Sequence, residues 1–256
     1  MFDIEQLYEY VYKEFKIKLD AYKEIQMNRR IEFFISKTSA TSSIEFIKMC
    51  EINPSIKKEF LDLITINVTE FFRNTDIFLK IKSIFKKYIP KKDNYTIWSS
   101  ACSNGSEPYS AAMILESVNI ENYNILATDI DDNMLKYGRN GIYTNDEIKE
   151  VPNYYLMNYF DKLDEKYLVK KNIRDKVVFK RHDLILDEYP KDIDLILCRN
   201  VVIYFKKEEK MKIYNKFYNS LNPHGVVFIG ATENIYDYQQ IGFNKLNTFF
   251  YQKEVK

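Results

Sequence analysis

From residue 95 onward, short apolar runs alternate with stretches of helical spacing, and this alternation restricts the fold more than any other feature of the chain. "YTIWSS", "YNILATDI", "DIDLILC" and "GVVFIGA" read as strands, with "SEPYSAAMILESV" and "KKEEKMKIYNKFYNSL" as helices between them. Apolar strands joined through helices pair in parallel, and the helices cover both faces of the sheet. "FNKLNTFFYQKE" adds one or two strands at the end. The rhythm lapses between Gly138 and about Val178, where tyrosine and charge dominate. An inserted subdomain with its own small structure is predicted over about residues 138–178.

The first 66 residues carry no strand pattern. "IEQLYEYVYKEF" and "DAYKEIQMNRRIEFFI" place apolar residues at helical spacing. In "NPSIKKEFLDLI", Asn53 can cap a helix whose first position is Pro54. A helical domain over 1–66, a connector over 67–75 and an α/β domain over 76–256 follow. The connector "TINVTEFFRN" reads as extended, with β-branched residues and no helical period. "TDIFLKIKSIFKKYIP" puts Ile77, Ile81, Ile84, Phe85 and Tyr88 on one helical stripe that stops before Pro90. Its lysines read as the solvated face of that helix rather than as a nucleic-acid contact.

Formal net charge is only +1 in 256 residues, so no global field favours nucleic acid or an anionic membrane. Three irregularly spaced cysteines, Cys50, Cys102 and Cys198, read as reduced thiols rather than a disulfide framework or a metal site. The opening "MFDIEQLYEY" lacks a signal-peptide layout, and no run approaches the ~18 apolar residues that span a bilayer. A cytoplasmic protein without membrane insertion is expected.

"WSSACSNGSEPYS" is the end of a strand, a tight turn and the start of a helix, the place where α/β proteins hold nucleotide-like ligands. The turn has one glycine, Gly105, where a dinucleotide fingerprint needs three so that backbone N–H groups can approach a pyrophosphate. Ser106 reads as the helix cap, with Glu107 and Pro108 in its first turn. Asp129 ends the second strand, where an acid can accept hydrogen bonds from ribose hydroxyls. Asp183 and Asn200 follow two further strands. Taken singly, each is a turn or capping residue; together, at successive strand ends, they favour a nucleoside site. S-adenosylmethionine has a ribose and an adenine but no phosphate, and its zwitterionic end suits a side-chain carboxylate such as Glu107. The single-glycine loop therefore fits the sulfonium cofactor better than NAD.

"NVTEFFR", "WSSACSNGSEPYS", "ATDID", "CRNVVIYF" and "GATEN" resemble, in order, the motifs of the chemotaxis receptor methyltransferases of the CheR type. The resemblance implies a class I S-adenosylmethionine-dependent methyltransferase: a Rossmann-like, mostly parallel sheet with a small all-helical N-terminal domain and a small inserted subdomain. It implies methyl transfer to glutamate γ-carboxylates on the cytoplasmic helical region of membrane chemoreceptors, giving methyl esters and the product S-adenosylhomocysteine. By the same resemblance, Asn67, Thr69 and Arg73 line the cofactor site. Glu107 takes the place of the cofactor-binding acid and Asp129 that of the ribose-binding acid. Asp183 and Leu184 fall where the family holds the adenine. Arg199 and Asn200 match the strand-end pair, and Tyr204 the tyrosine near the transferred methyl. The turn departs from the family's common form at Ala101 and Ser106, and "GATE" stands where "GHSE" is more usual.

The chemistry suits these residues. A glutamate carboxylate has a pKa of ~4.3, so it is ionised and nucleophilic at neutral pH and needs no general base. His182 and His224 receive no role. Arg73 and Tyr204 are the expected catalytic pair, with Arg73 aiming a substrate carboxylate at the methyl. Lys23, Arg29 and Arg30, on one predicted helix, form a candidate docking face for acidic receptor helices, with a solvated face as the plain alternative. A monomer without a metal is expected. The competing readings are a methyltransferase with another acceptor and a silent module that binds the cofactor without turnover.

Overall fold

Helix-starting side chains near the N-terminus find the backbone groups they suit. The computed structural model describes residues 2–255. Helix α1 (Ile4–Phe15) begins at Asp3, whose carboxylate accepts the N–H groups of Glu5 and Gln6. Helix α2 spans Glu24–Ile35, α3 Ser43–Ile52 and α4 Pro54–Thr65. Asn53 caps α4 by accepting from Ser55 and Ile56, with Pro54 at its first position, as the sequence indicated. Helix α2 starts later than its periodicity suggested: Leu19–Ala21 form a 3₁₀ turn and Lys23 is already extended. Helix α3, capped by Ser42, was not read from the sequence. The polar run "SKTSATSS" before it hides its start.

These helices form one unit, Met1–Asn67 together with Tyr204–Lys210. Its core is Leu7, Val11, Ile31, Ile35, Phe46 and Phe60, all fully buried. Phe46 meets Phe60 edge-on at 4.9 Å between ring centres, the geometry in which the ring edge faces the electron-rich face. The short segment after residue 203 belongs here because its backbone is bonded to this unit. Lys23 N–H donates to the Tyr204 carbonyl, Lys206 N–H to the Ala21 carbonyl, and Tyr22 pairs with Phe205. The sequence had counted Tyr204 in the α/β part; a crossover of seven residues carries no periodicity to reveal it.

The second unit, Val68–Ile203 with Met211–Lys256, is built on a seven-stranded sheet. Its strands are β1 (Tyr95–Ser99), β2 (Tyr123–Asp129), β6 (Val177–Arg181), β7 (Ile193–Cys198), β8 (Leu221–Ile229), β9 (Phe243–Lys245) and β10 (Phe250–Lys253). The order is β6-β2-β1-β7-β8-β10-β9, parallel from β6 to β8 and antiparallel at β10 and β9. The chain runs outward from β1 through β2 to β6, then returns to β7 on the other side of β1. In open α/β sheets, ligands bind at such a reversal, in the crevice beyond the carboxyl ends of the strands, here those of β1 and β7. Strands β3 (Ile142–Thr144), β4 (Phe160–Leu163) and β5 (Lys166–Val169) form a separate antiparallel sheet within the tyrosine-rich stretch, in the order β3-β5-β4.

Two local expectations are corrected. "TDIFLKIKSIFKK" is two short helices, Thr75–Phe78 and Ile81–Lys87, because Leu79 and Lys80 tighten the backbone into i→i+3 bonds. Its stripe is still the inward one, with Ile81, Ile84 and Phe85 buried. Ser106 does not cap the next helix, Ser106–Glu116; the N-cap is Gly105, at φ +89°, a backbone angle that costs glycine little. The capping oxygen comes from Asn104, whose Oδ1 accepts both the Ser106 N–H and its hydroxyl.

Candidate active site

The turn after β1 spends most of its backbone N–H groups inside the protein. Ser100 N–H donates to the Leu197 carbonyl, Cys102 to that of Thr128 and Gly105 to that of Cys102. Ser103 N–H donates to Asp129 Oδ2 at 2.7 Å, and Ser106 N–H to Asn104. A phosphate-binding loop leaves such groups for its ligand. This one commits most of them, those of Ser100, Cys102, Ser103, Gly105 and Ser106, to the protein itself, which is the structural counterpart of its missing glycines.

Side-chain carboxylates occupy the strand ends instead. Glu107, in the first turn of the helix after β1, is 8% exposed. Its Oε1 accepts the Ser99 hydroxyl at 2.7 Å, and its Oε2 lies 3.7 Å from Nη1 of Arg199. Burial raises its pKa above the usual range, and Arg199 and Ser99 oppose that rise. Asp129 also accepts the Asp131 N–H. Burial pushes its pKa up to about 6 despite these backbone bonds. Asp183 accepts the N–H groups of Ile185 and Leu186, closing the turn after β6, and burial raises its pKa too. Leu184 is buried beside it. So Asp129 and Asp183 already hold turns, the plain role the sequence allowed each of them singly.

Arg199 leaves the end of β7 between two rings, its guanidinium carbon 5.1 Å from the centre of Phe78 and 4.9 Å from that of Phe228. Its Nη2 donates to the Arg73 carbonyl at 2.6 Å and to Asn74 Oδ1 at 3.2 Å. A planar fork that stacks and donates at once is a task lysine cannot perform. The connector can meet it because Phe72 and Asn74 have positive φ, 52° and 58°, which turns the backbone on either side of Arg73. Phe72 N–H is held by the Ser110 hydroxyl, and Arg73 Nη1 donates to the Val68 carbonyl. Residues 67–70 of the connector carry no turn, whereas residues 71–74 turn tightly, a bend its composition did not suggest. Thr69 lies in it, partly buried.

Buried polar atoms without a protein partner among the described residues include Ser103 Oγ, Arg199 Nε and Asn200 Oδ1, all at the carboxyl ends of β1 and β7. A ligand with donors and acceptors would satisfy them. Together with three buried carboxylates, this donor set fits a cationic, phosphate-free nucleoside. His182, edge-on to Trp98, is held neutral by burial, its pKa lowered to about 4. The Cys102 and Cys198 thiols are fully buried and pushed up, so neither is a thiolate nucleophile.

The remaining candidates lie in the helical unit. Tyr204, Lys23, Arg29 and Arg30 line one cleft of about 280 Å³ with Tyr22 and Ile66. The expected substrate tyrosine and the expected docking cations therefore share a surface. Arg30 is partly committed, its Nη2 donating to the Leu63 carbonyl at 3.0 Å. Asn67, at the end of this unit, donates to Thr65 Oγ1. A second cleft, of about 1030 Å³, opens at the amino ends of β1 and β2 beside Lys82, Lys86, Lys91 and Lys92. The strand-end carboxylates take no part in it.

Sequence reading missed Ser99 and Asn104, which orient Glu107 and the turn, and Phe78 and Phe228, which hold Arg199. Glu233 stood inside the quoted "GATEN" without a role. Its buried carboxylate accepts three backbone N–H groups.

Comparison with known proteins agrees with this geometry. Residues 67–250 match the family described as CheR methyltransferase, SAM binding domain. A chemotaxis protein methyltransferase of Listeria monocytogenes is 39% identical, the alignment covering 98% of each chain. One from Borreliella burgdorferi is 32% identical over 91% of this chain and 88% of its own. The Escherichia coli protein of that name is 28% identical over 88% and 81%. A seven-stranded, mostly parallel sheet, a loop built for a nucleoside without phosphate, and relatives that match end to end give one conclusion: this chain belongs to the CheR methyltransferase family and is an S-adenosylmethionine-dependent methyltransferase.

Proposed function

We propose that the chain transfers the methyl group of S-adenosylmethionine to γ-carboxylates of glutamate side chains on chemoreceptors, forming methyl esters. The observation that carries this reading is the pairing of a turn most of whose N–H groups are internally bonded with buried carboxylates at the neighbouring strand ends. In this reading Glu107 holds the ammonium of the methionine end, and Asp129 accepts from the ribose hydroxyls. Asp183 and Leu184 border the adenine. Arg199, Asn200, Asn67 and Thr69 complete the lining.

The cofactor supplies an electrophilic methyl on a positively charged sulfur. The protein has to bring an anion to it with little water between them, because the charges cancel as the bond forms and solvation of either ion would raise the barrier. Arg73 orients the incoming carboxylate. Arg73 aims one oxygen without fully neutralising it, since a tight ion pair would blunt the nucleophile. No proton needs to be removed, so the step calls for no general base.

The receptor is met, in this proposal, by the basic face of α2. Arg30 is tied to Leu63, so Lys23 and Arg29 are the informative positions. Reversing both to glutamate should raise the receptor KM several-fold with the cofactor Kd unchanged; an unaltered KM would remove α2 from the docking surface. The activity itself is tested by incubating the protein with methyl-labelled cofactor and receptor-containing membranes, then treating with alkali. Label released as methanol identifies a carboxyl ester. Label that survives alkali points to a nitrogen acceptor and overturns the proposal.

A further inference from the structure

The carboxylate of Glu233 is 8% exposed and receives three backbone N–H groups from two separate segments. Oε2 accepts Gly230 N–H at 2.6 Å and Asn200 N–H at 3.0 Å, while Oε1 accepts Val202 N–H at 3.0 Å. Gly230 immediately follows β8, and Asn200 and Val202 lie in the turn after β7. Asn200 sits at φ +60°, a strained angle for a residue with a side chain, and its Oδ1 is buried without a protein partner. The two segments approach so closely that a Cβ on Gly230 would stand 2.9 Å from Asn200 N and 2.7 Å from Glu233 Oε2. Glycine at 230 and glutamate at 233 are thus two halves of one contact, and that contact fixes the backbone of Asn200 at the end of β7.

We infer that Glu233 is a positioning residue for methyl transfer, its carboxylate clamping the turn after β7 so that Asn200 is held for the cofactor. The inference rests on the reading of the strand ends as the cofactor site and adds to it a residue that acts only through another. The physical requirement is a carboxylate. Three donors share two acceptor oxygens, so an amide at this position turns one of them into an NH₂ group facing an N–H, whichever way it is flipped. An aspartate keeps both oxygens but withdraws them by one methylene. Burial raises the Glu233 pKa and the backbone bonds oppose that rise, so the clamp is strongest where the group is ionised.

The test is a double-mutant cycle on the whole chain, read by calorimetric titration with S-adenosylhomocysteine. E233Q alone is expected to weaken binding about tenfold, the scale of losing charged hydrogen bonds. N200G, which accepts the positive φ but lacks the side chain, should weaken it by a similar factor. The double variant should bind no worse than N200G, because the clamp acts through Asn200. A further tenfold loss in the double variant, or a lowered melting midpoint in E233Q with an unaltered titration, would make Glu233 a structural residue and overturn the inference. If N200G alone binds like the unmodified chain, the strand-end site is itself wrong and the clamp falls with it. Should E233Q fail to fold, E233D enters the same cycle with the same expected outcomes.

Discussion

Among single residues, Asp129 shows how burial becomes measurable chemistry. Burial pushes its pKa up to about 6, well above an exposed aspartate, because desolvation outweighs the backbone hydrogen bonds from Asp131, Ser103 and Ile130. The folded chain therefore binds more protons than the unfolded chain between about pH 4 and 6, and this group's contribution to stability falls as pH rises through that window. In the proposed site, cofactor binding runs the other way, since ribose hydroxyls would donate to the ionised form. Affinity should be flat above about pH 6 and weaken roughly tenfold per unit below it. Titrations between pH 5 and 7.5 check this, and D129N should bind weakly with no such slope. Asp129 and Asn200 were legible in the sequence because each closes an apolar strand, and Glu107 because it falls in the first turn of the helix after β1. Ser99, Asn104 and Glu233 were not, because their task is to satisfy backbone or carboxylate groups that only the folded chain brings near. The turn-holding bonds of Asp129 and Asp183 were legible only as an alternative to a ligand role.

At the scale of elements, sequence reading succeeded where a period or a cap carried the signal. Asn53 and Pro54 are such a case. Asn53→Ala removes two accepted N–H bonds at the start of α4 and should cost about 1 kcal/mol of stability, read from the denaturant midpoint. The alternation of strands and helices likewise gave the parallel sheet, since apolar strands β1, β7 and the end of β8 have burial on both faces. Reading failed where geometry is set by contacts far away in sequence. The connector looked extended, yet Phe71 and Phe72 are fully buried and two of its residues take positive φ. Ser110 holds that bend through its hydroxyl, bonded to the Phe72 N–H. Ser110→Ala leaves a buried N–H without its acceptor, with an expected loss of about 1–3 kcal/mol. Catalysis should fall along with it, because Arg73 follows directly; thermal melts and kcat on one preparation check both. A stability loss with kcat unchanged would separate the bend from Arg73.

For the molecule as a whole, the two units do not follow a single cut in the chain. Tyr204–Lys210 belongs to the helical unit although it lies between β7 and β8 in sequence. Phe205, 3% exposed, packs on Tyr22 with 4.7 Å between ring centres. A fragment of residues 68–256 would carry this segment without the backbone groups that bind it. The Lys206 amide, bonded to the Ala21 carbonyl, should exchange slowly with solvent in the whole chain and fast in the fragment. Slow exchange in both would show that the segment is ordered without the N-terminal helices. The central claim concerns the crevice beyond β1 and β7, where Glu107 is placed to receive a cationic, phosphate-free nucleoside. Calorimetric titration of the chain and of Glu107→Gln with S-adenosylmethionine and with NAD tests it most directly. Heat with S-adenosylmethionine alone, and a loss of at least about tenfold in affinity in the variant, is the predicted result. Equal binding of NAD, or a variant that binds S-adenosylmethionine as the unmodified chain does, would contradict it.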